Sequence, residues 1–180
     1  EEDIVTGDDT IRYYKNDTVD SVTTTEDGTA ESEELYLGKY KVREVQQSLG
    51  YILSQKEYSV SLKYEGQEVP LVTGQLSVTN KPTEILIRKT DIRDNALSGV
   101  TFRIWSKEEG GFNQEFATDE KGEICIAYLV PGTYCIQEIK ALEGYIQDDT
   151  IHEVQILQDG RSERTLELKN DYTKIQISKQ

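Results

Sequence analysis

The chain carries an internal repeat, and this repeat constrains its fold more than any other feature of the sequence. Three pairs of blocks correspond in the same order: residues 37–44 with 131–138, 76–80 with 166–170, and 84–89 with 174–179. The copies lie 90 to 94 residues apart, and a Gly-Tyr pair follows the first block of each copy. The chain therefore contains two versions of one structural unit and the beginning of a third.

The repeated blocks alternate apolar and polar residues with a period of two, which is typical of β-strands. Eleven tyrosines and no methionine also favour strands over helices. Clusters of Asp, Gly, Thr and Pro separate the blocks and predict turns. Short strands joined by such turns predict an all-β fold of antiparallel sandwiches.

The repeat predicts where the domains begin and end. We expect a first domain over residues 1–82, a second over 83–171, and the first strand of a following repeat over 172–180. Pro82 suits the first boundary because proline cannot donate a hydrogen bond to a β-ladder. The N-terminus, Glu1-Glu2-Asp3, lacks the positive charge that opens a signal peptide, so we expect a trimmed fragment.

Charge and motif content exclude several classes of function. The formal net charge of −14 is expected to repel nucleic acids and anionic membranes, and no apolar run is long enough to span a bilayer. Phosphate-binding loops, zinc-ligand spacings and nucleophile elbows are absent from the sequence, so we expect no cofactor and no metal.

Three polar residues fall on strand faces that are otherwise apolar. Lys89 shares its face with Ile85 and Ile87, Glu138 with Tyr134 and Ile136, and Asn170 with Leu166 and Leu168. Two interpretations are open. The side chains lie at the rim of the sandwich and meet water, or they are buried together, because a charge that faces a core requires a partner.

The ordered motifs of the chain resemble the CnaB-type, or SpaA-like, domains of Gram-positive pilins and adhesins. The resemblance covers residues 83–171 completely and 1–82 in part, and residues 134–145 also resemble the pilin E-box. The motifs are Ile-Arg-Lys-Thr-Asp at 87–91, Leu-Ser-Gly-Val-Thr-Phe at 97–102, the turn at 118–122, Gly-Thr-Tyr-Cys-Ile-Gln-Glu at 132–138, Gly-Tyr at 144–145 and Leu-Lys-Asn at 168–170.

This resemblance implies two tandem Ig-like, prealbumin-like sandwiches and a self-made cross-link. In such domains a lysine of the first strand and an asparagine of the last strand form an isopeptide bond, which maps here onto Lys89 and Asn170. The E-box glutamate maps onto Glu138, which would polarise the asparagine carbonyl as a protonated acid. The reaction occurs once per molecule, so the resemblance implies a structural protein and not an enzyme.

The resemblance places the protein at the cell surface or in the cell wall, as a stalk module of a pilin or adhesin. Its partners would be adjacent domains of the same surface protein or pilus. A ligand-binding adhesin domain that recognises a host protein or glycan is an alternative, with residues 108–116 and Tyr13-Tyr14 as its candidate surfaces. An accessory sandwich of a secreted enzyme is another.

The two cysteines are expected to lie opposite each other. If the strands ending at Tyr128 and beginning at Thr133 form a hairpin, Cys125 pairs with Cys135 and both side chains face outward. A cross-strand disulfide and a pair of reduced thiols both remain open, because directly opposed strand residues often fit disulfide geometry poorly.

The first repeat has an incomplete cross-linking set. Glu44 and Asn80 match Glu138 and Asn170, but the lysine that should precede Glu44 falls before residue 1. One interpretation is that the sequence is cut within a domain. The other is that Lys179, in the strand that begins the next repeat, supplies the missing lysine to another molecule, head to tail.

Overall fold

Backbone pairing defines the strands in the computed structural model, which describes residues 2–69, 71–162 and 165–173. The described residues form eleven strands and no helix: β1 (Ile4–Val5), β2 (Ile11–Tyr13), β3 (Gly38–Arg43), β4 (Glu57–Leu62), β5 (Glu84–Asp91), β6 (Thr101–Ser106), β7 (Asn113–Ala117), β8 (Glu123–Ala127), β9 (Gly132–Lys140), β10 (Ile151–Ile156) and β11 (Thr165–Asn170). The predicted all-β class is confirmed. Within these ranges there is no helix long and apolar enough to cross a membrane.

The described residues divide into two compact units. The first takes the described residues of 1–44 and 55–79, and the second takes those of 45–54 and 80–173. Residues 45–54, which the repeat assigns to the first domain, therefore lie in the second unit. The domain limits expected from the sequence, at 82 and 171, stay predictions.

The first unit contains little buried apolar surface. Strands β1 and β2 form one antiparallel pair, and β3 and β4 form another. Ile4 is its buried apolar side chain among the described residues, whereas Val42, Tyr14 and Tyr64 are exposed. The hydrophobic effect therefore contributes less to this unit than to the second one.

The second unit is a sandwich of two sheets. One has the strand order β10-β9-β6-β7 and the other β11-β5-β8. All neighbours are antiparallel except β11, which runs parallel to β5. One core cluster joins the inner faces of both sheets, as expected for face-to-face packing. Its members are Ile85, Ile87, Leu97, Val100, Phe102, Ile104, Ile124, Ile126, Leu129, Tyr134, Ile136, Val154, Ile156 and Leu168.

The contrast between inner and outer faces predicts the effect of truncating side chains. Ile136→Ala removes a fully buried side chain of β9 and should lower the free energy of unfolding by about 2–5 kcal/mol. Ile151→Ala on β10, at an exposed position, is the control and should cost less than about 1 kcal/mol. Denaturant titration measures both. If both variants lost the same free energy of unfolding, the assignment of Ile136 to the buried face and Ile151 to the exposed face would be wrong.

The expected pairing of the two cysteines is wrong. Cys125 on β8 lies opposite Leu86 of β5, whereas Cys135 on β9 lies opposite Trp105 of β6 and Glu153 of β10. Residues 128–131 carry the chain from one sheet to the other, so β8 and β9 do not form a hairpin. Both residues are free cysteines, Cys125 exposed and Cys135 buried. The expected outward direction holds for both, because Cys135 alternates with the core residues Tyr134 and Ile136 and therefore lies on the outer face of β9, although it is buried there.

This geometry predicts the thiol chemistry. Burial raises the pKa of both thiols, so both should react slowly at neutral pH. In the folded protein Cys125 should react with a thiol reagent before the buried Cys135. The chain unfolded without reductant should present two titratable thiols. If the unfolded chain presented no titratable thiol, Cys125 and Cys135 would have to form a disulfide, contrary to this prediction.

Candidate functional site

Lys89, Glu138 and Asn170 meet inside the sandwich of the second unit. Their exposed fractions are 0%, 2% and 2%. Lys89 and Asn170 come from the neighbouring strands β5 and β11, and Glu138 comes from β9 in the facing sheet. The three side chains are therefore buried together between the sheets, and the alternative of a solvated rim does not describe them.

Strand register explains why Lys89 and Asn170 share this position. In the parallel pair of β5 and β11, Leu168 lies opposite Lys89, and Asn170 is two residues farther along. Because side chains alternate along a strand, Leu168 and Asn170 point to the same face as Lys89. Ile85 and Ile87 complete that face of β5, so the polar side chains lie at the end of an apolar stripe.

Glu138 contacts both of the other residues. The Nζ atom of Lys89 lies 2.8 Å from Oε2 of Glu138. The Nδ2 atom of Asn170 donates a hydrogen bond of 2.7 Å to Oε1 of the same carboxyl group. Lys89 and Asn170 are thus held by opposite oxygens of a single side chain.

The hydrogen bonding of the site is incomplete. Although Nζ of Lys89 and Oε2 of Glu138 are within ion-pair distance, neither atom makes a hydrogen bond of acceptable angle with a described residue. Oδ1 of Asn170 likewise accepts no hydrogen bond within the described part of the chain. The ring of Phe102, centred 5.7 Å from Nζ, forms part of the apolar surroundings. Burying a charged pair in such surroundings costs free energy unless its remaining hydrogen-bonding groups are satisfied.

A second polar cluster, which the sequence analysis did not identify, lies at the same ends of β5 and β11. Asp91 is 1% exposed and follows Lys89 by two residues. Its carboxylate accepts hydrogen bonds from the backbone amides of Arg93 and Asn95, from the Asn95 side chain at 2.8 Å, and from the Tyr172 hydroxyl. Tyr172 therefore ties the segment after β11 to the end of β5. In the sequence, the one signal for these hydrogen bonds is an aspartate at the end of a strand and directly before a turn.

The hydrogen bond between Tyr172 and Asp91 shifts the pKa of both residues. Burial by itself would raise the pKa of Asp91, but the bonds from Tyr172, Asn95 and Arg93 outweigh it and hold the pKa well below its usual range. The bond to Asp91, with burial as the next cause, raises the pKa of Tyr172 to about 12.

The sign of the Asp91 shift predicts how stability depends on pH. Because the pKa is lower in the folded state than in the unfolded chain, the carboxylate stabilises the fold at neutral pH and loses this effect as the pH falls below about 4. Asp91→Asn should therefore lower the denaturant midpoint clearly at pH 7, and the difference from wild type should narrow at pH 3. Glu109→Gln, at an exposed loop position, should show no such narrowing. A difference that is constant with pH would contradict the assignment.

The site predicted for the first repeat, Glu44 with Asn80, stays a prediction. Glu44 is half-buried just after β3 and lies in the first unit, whereas half-buried Asn80 lies in the second. Lys179 and the repeat block 174–179 lie outside the described residues. The head-to-tail link between Lys179 and these two residues stays a prediction.

The candidate ligand-binding surfaces differ from each other. Phe112 and Phe116 stack with ring centroids 6.1 Å apart and pack, partly buried, against the core of the second unit. Tyr14 is exposed, and Tyr13 contacts Tyr36 edge to face at 5.7 Å. Both phenylalanines therefore contribute to the packing of the second unit, and the ligand-binding alternative stays a prediction.

A comparison with protein families identifies both repeats. The family model for SpaA, described as a prealbumin-like fold domain, matches residues 4–75 and again residues 83–172. Together the two matches cover most of the chain. A comparison with curated protein sequences finds no match.

Solved structures with partial similarity come from Gram-positive bacteria. The Bacillus anthracis TIE protein is 26% identical, with 84% of this chain and 28% of that chain covered and a TM-score of 0.45. BcpA, the major pilin subunit of Bacillus cereus, is 31% identical, with coverages of 48% and 28% and a TM-score of 0.40. The major pilin SpaD of Corynebacterium diphtheriae is 17% identical, with coverages of 50% and 32% and a TM-score of 0.41. Each match covers less than a third of the other protein's length.

Proposed function

Since this chain belongs to the SpaA family of prealbumin-like domains, we propose that it is a structural stalk module of a Gram-positive pilin or cell-wall surface adhesin. Its second domain would strengthen itself with an isopeptide bond between Lys89 and Asn170, catalysed by Glu138. The observation that carries this proposal is the buried contact of Glu138 with both residues, at 2.8 and 2.7 Å.

The proposed reaction begins with a proton transfer. The ammonium group of Lys89 gives a proton to the Glu138 carboxylate across their 2.8 Å contact, which leaves a neutral amine and a carboxylic acid. The apolar surroundings favour this neutral pair over two buried charges. The amine is then a nucleophile, and the acid is a hydrogen-bond donor.

The bond exchange follows at the side-chain amide of Asn170. A half-turn of this amide brings Oδ1 to the place of Nδ2, where protonated Glu138 can donate to it and polarise the carbonyl. Nζ of Lys89 attacks Cγ and forms the new C–N bond. The attacking nitrogen loses a proton, Nδ2 gains one, and the old C–N bond breaks with release of ammonia. No other reactant is required.

The fold would supply most of the catalysis by holding the reactants together. All three side chains are fixed on strands, and the buried site excludes water, so no encounter step is needed. The reaction happens once per molecule. This is a maturation step of a structural protein, and the proposal assigns no catalytic turnover to the chain.

The cross-link suits a protein under tension. It would join the first strand of the domain to the last and close a loop of about 80 residues, which the chain-entropy estimate values at roughly 4–5 kcal/mol. Force would then pass through a covalent bond between β5 and β11 instead of through their ladder of hydrogen bonds. Attachment to the cell surface and contact with adjacent domains of the same protein are part of this proposal.

Intact mass of the folded chain tests the bond directly. The wild type should be lighter than its sequence by one ammonia, and Lys89→Ala, Asn170→Ala and Glu138→Ala should each restore the full mass. Lys169→Ala is the matched control, since this lysine neighbours Asn170 but pairs with Asp94 at the surface, and it should retain the mass loss.

Peptide mapping distinguishes this bond from other losses of ammonia. Digestion should yield one branched peptide that contains both Lys89 and Asn170. A folded wild type with the unmodified mass, or a mass loss that persists in Glu138→Ala at the wild-type rate, would refute the proposed chemistry.

A further inference from the structure

One loop of the second unit holds a linker by a specific set of hydrogen bonds. The amide of Ile52 donates to the carbonyl of Lys81 at 2.9 Å, and the amide of Thr83 donates to the carbonyl of Gly50 at 2.9 Å. The hydroxyl of Thr83 also donates to the carbonyl of Gly50, at 3.1 Å. We call this arrangement of residues 50–52 with 81–83 the first clasp. It holds the chain immediately before β5.

The same arrangement occurs a second time, after β11. The amide of Ile146 donates to the carbonyl of Asp171 at 2.8 Å, and the amide of Thr173 donates to the carbonyl of Gly144 at 2.9 Å. The hydroxyl of Thr173 again donates to the glycine carbonyl, at 3.2 Å. Residues 144–146 with 171–173 are the second clasp. Both clasps consist of a Gly-Tyr-Ile loop and a linker that ends in threonine, so the agreement extends from sequence to individual bonds.

The first clasp is closed by a turn of the domain that follows it in the chain. The Thr83 hydroxyl lies 2.5 Å from the carbonyl of Leu129, and the amide of Tyr128 donates to the carbonyl of Thr83 at 2.8 Å. The rings of Tyr51 and Tyr128 contact each other edge to face at 5.5 Å. A Cβ atom on Gly50 would lie 2.9 Å from the carbonyl oxygen of Tyr128. Residues 128–129 therefore pack tightly on the first clasp.

The second clasp presents the same groups on an open side. Apart from Gly144 and its two chain neighbours, no described residue has an atom within 4 Å of the position that a Cβ on Gly144 would occupy. Thr173 is exposed, whereas its counterpart Thr83 is completely buried. In the first clasp, residues 128–129 cover one face of Gly50 and Thr83. In the second clasp, no described residue covers the equivalent face of Gly144 and Thr173.

We propose that the second clasp is the docking site for a further domain of the same prealbumin-like fold, which continues the chain after Thr173. Its turn equivalent to residues 128–129 would pack on Gly144 and bond to Thr173. Its first strand would begin at 174, where the sequence 174–179 repeats 84–89. The partner is defined by the first clasp, which shows the contacts that such a domain makes. The inference does not depend on the isopeptide bond.

A clasp changes how a following domain is attached. A free linker of three residues would let the domain swivel, because such a segment has many accessible conformations. In a clasp, the linker backbone is bonded on one side to the Gly-Tyr-Ile loop and on the other to the turn of the new domain. The linker therefore becomes part of a packed interface, which restricts rotation between domains in series.

Amide hydrogen exchange in the chain as it stands provides the first test. The amides of Ile52 and Thr83 should exchange at least about tenfold more slowly than those of Ile146 and Thr173, because a packed turn closes the first clasp alone. Equal protection of the two clasps would contradict the role given to that turn.

An added repeat provides the second test. Lys179 and Gln180 match Lys89 and Thr90, so the chain is extended after Gln180 by a second copy of residues 91–172. Exchange at Ile146 and Thr173 should then slow to the level of the first clasp. Unchanged exchange, or an added repeat that does not fold behind the intact chain, would overturn the proposal.

Substitution of the two glycines provides the matched control. Both have positive φ, 81° for Gly50 and 87° for Gly144, and asparagine tolerates such backbone better than other residues do. Gly50→Asn should destabilise both the original and the extended chain, because its side chain meets residue 128. Gly144→Asn should leave the original chain nearly unchanged and abolish the added protection in the extended one. No effect of Gly144→Asn in the extended chain would also contradict docking at this site.

Discussion

The burial of Lys89 against Glu138 is the interaction on which the rest of the second unit depends. A charged or proton-sharing pair in an apolar interior is tolerated only where its partners are fixed in place. Lys89 comes from one sheet and Glu138 from the other, so the pair requires both sheets at the correct spacing and register. Asn170 joins them only because β11 lies beside β5. The site is thus a property of the assembled sandwich.

Several polar contacts lie close together at the ends of β5 and β11. Lys89 and Asn170 lie within the strands, and Asp91 and Tyr172 lie two residues farther along. The first pair is the proposed site of the covalent link, and the second is joined by a charged hydrogen bond. The second clasp then holds Thr173 immediately beyond. The proposed cross-link, the Tyr172 hydrogen bond and the second clasp thus all lie within residues 170–173.

The two units differ in what holds them. The second has a continuous core, whereas Ile4 is the buried apolar side chain among the described residues of the first. Residues 45–54, which carry the first Gly-Tyr-Ile loop, lie in the second unit. The sequence repeat and the packing unit are consequently not the same division of the chain. In this chain, the loop at residues 50–52 belongs to the first repeat by sequence, and it holds the linker at residues 81–83 that precedes the second unit's first strand.

The sequence by itself determined which residues face inward. Alternation along β5, β9 and β11 placed Lys89, Glu138 and Asn170 on apolar faces. The internal repeat indicated tandem domains of one fold. Both patterns can be read directly from the order of residues along the chain. Only the tertiary structure decided which strands are neighbours. The hairpin expected for Cys125 and Cys135 is a crossing between sheets, and the bond of Tyr172 to Asp91 joins residues 81 positions apart. Alternation specifies the face of a strand but not its partner, since pairing depends on the packing of the whole core.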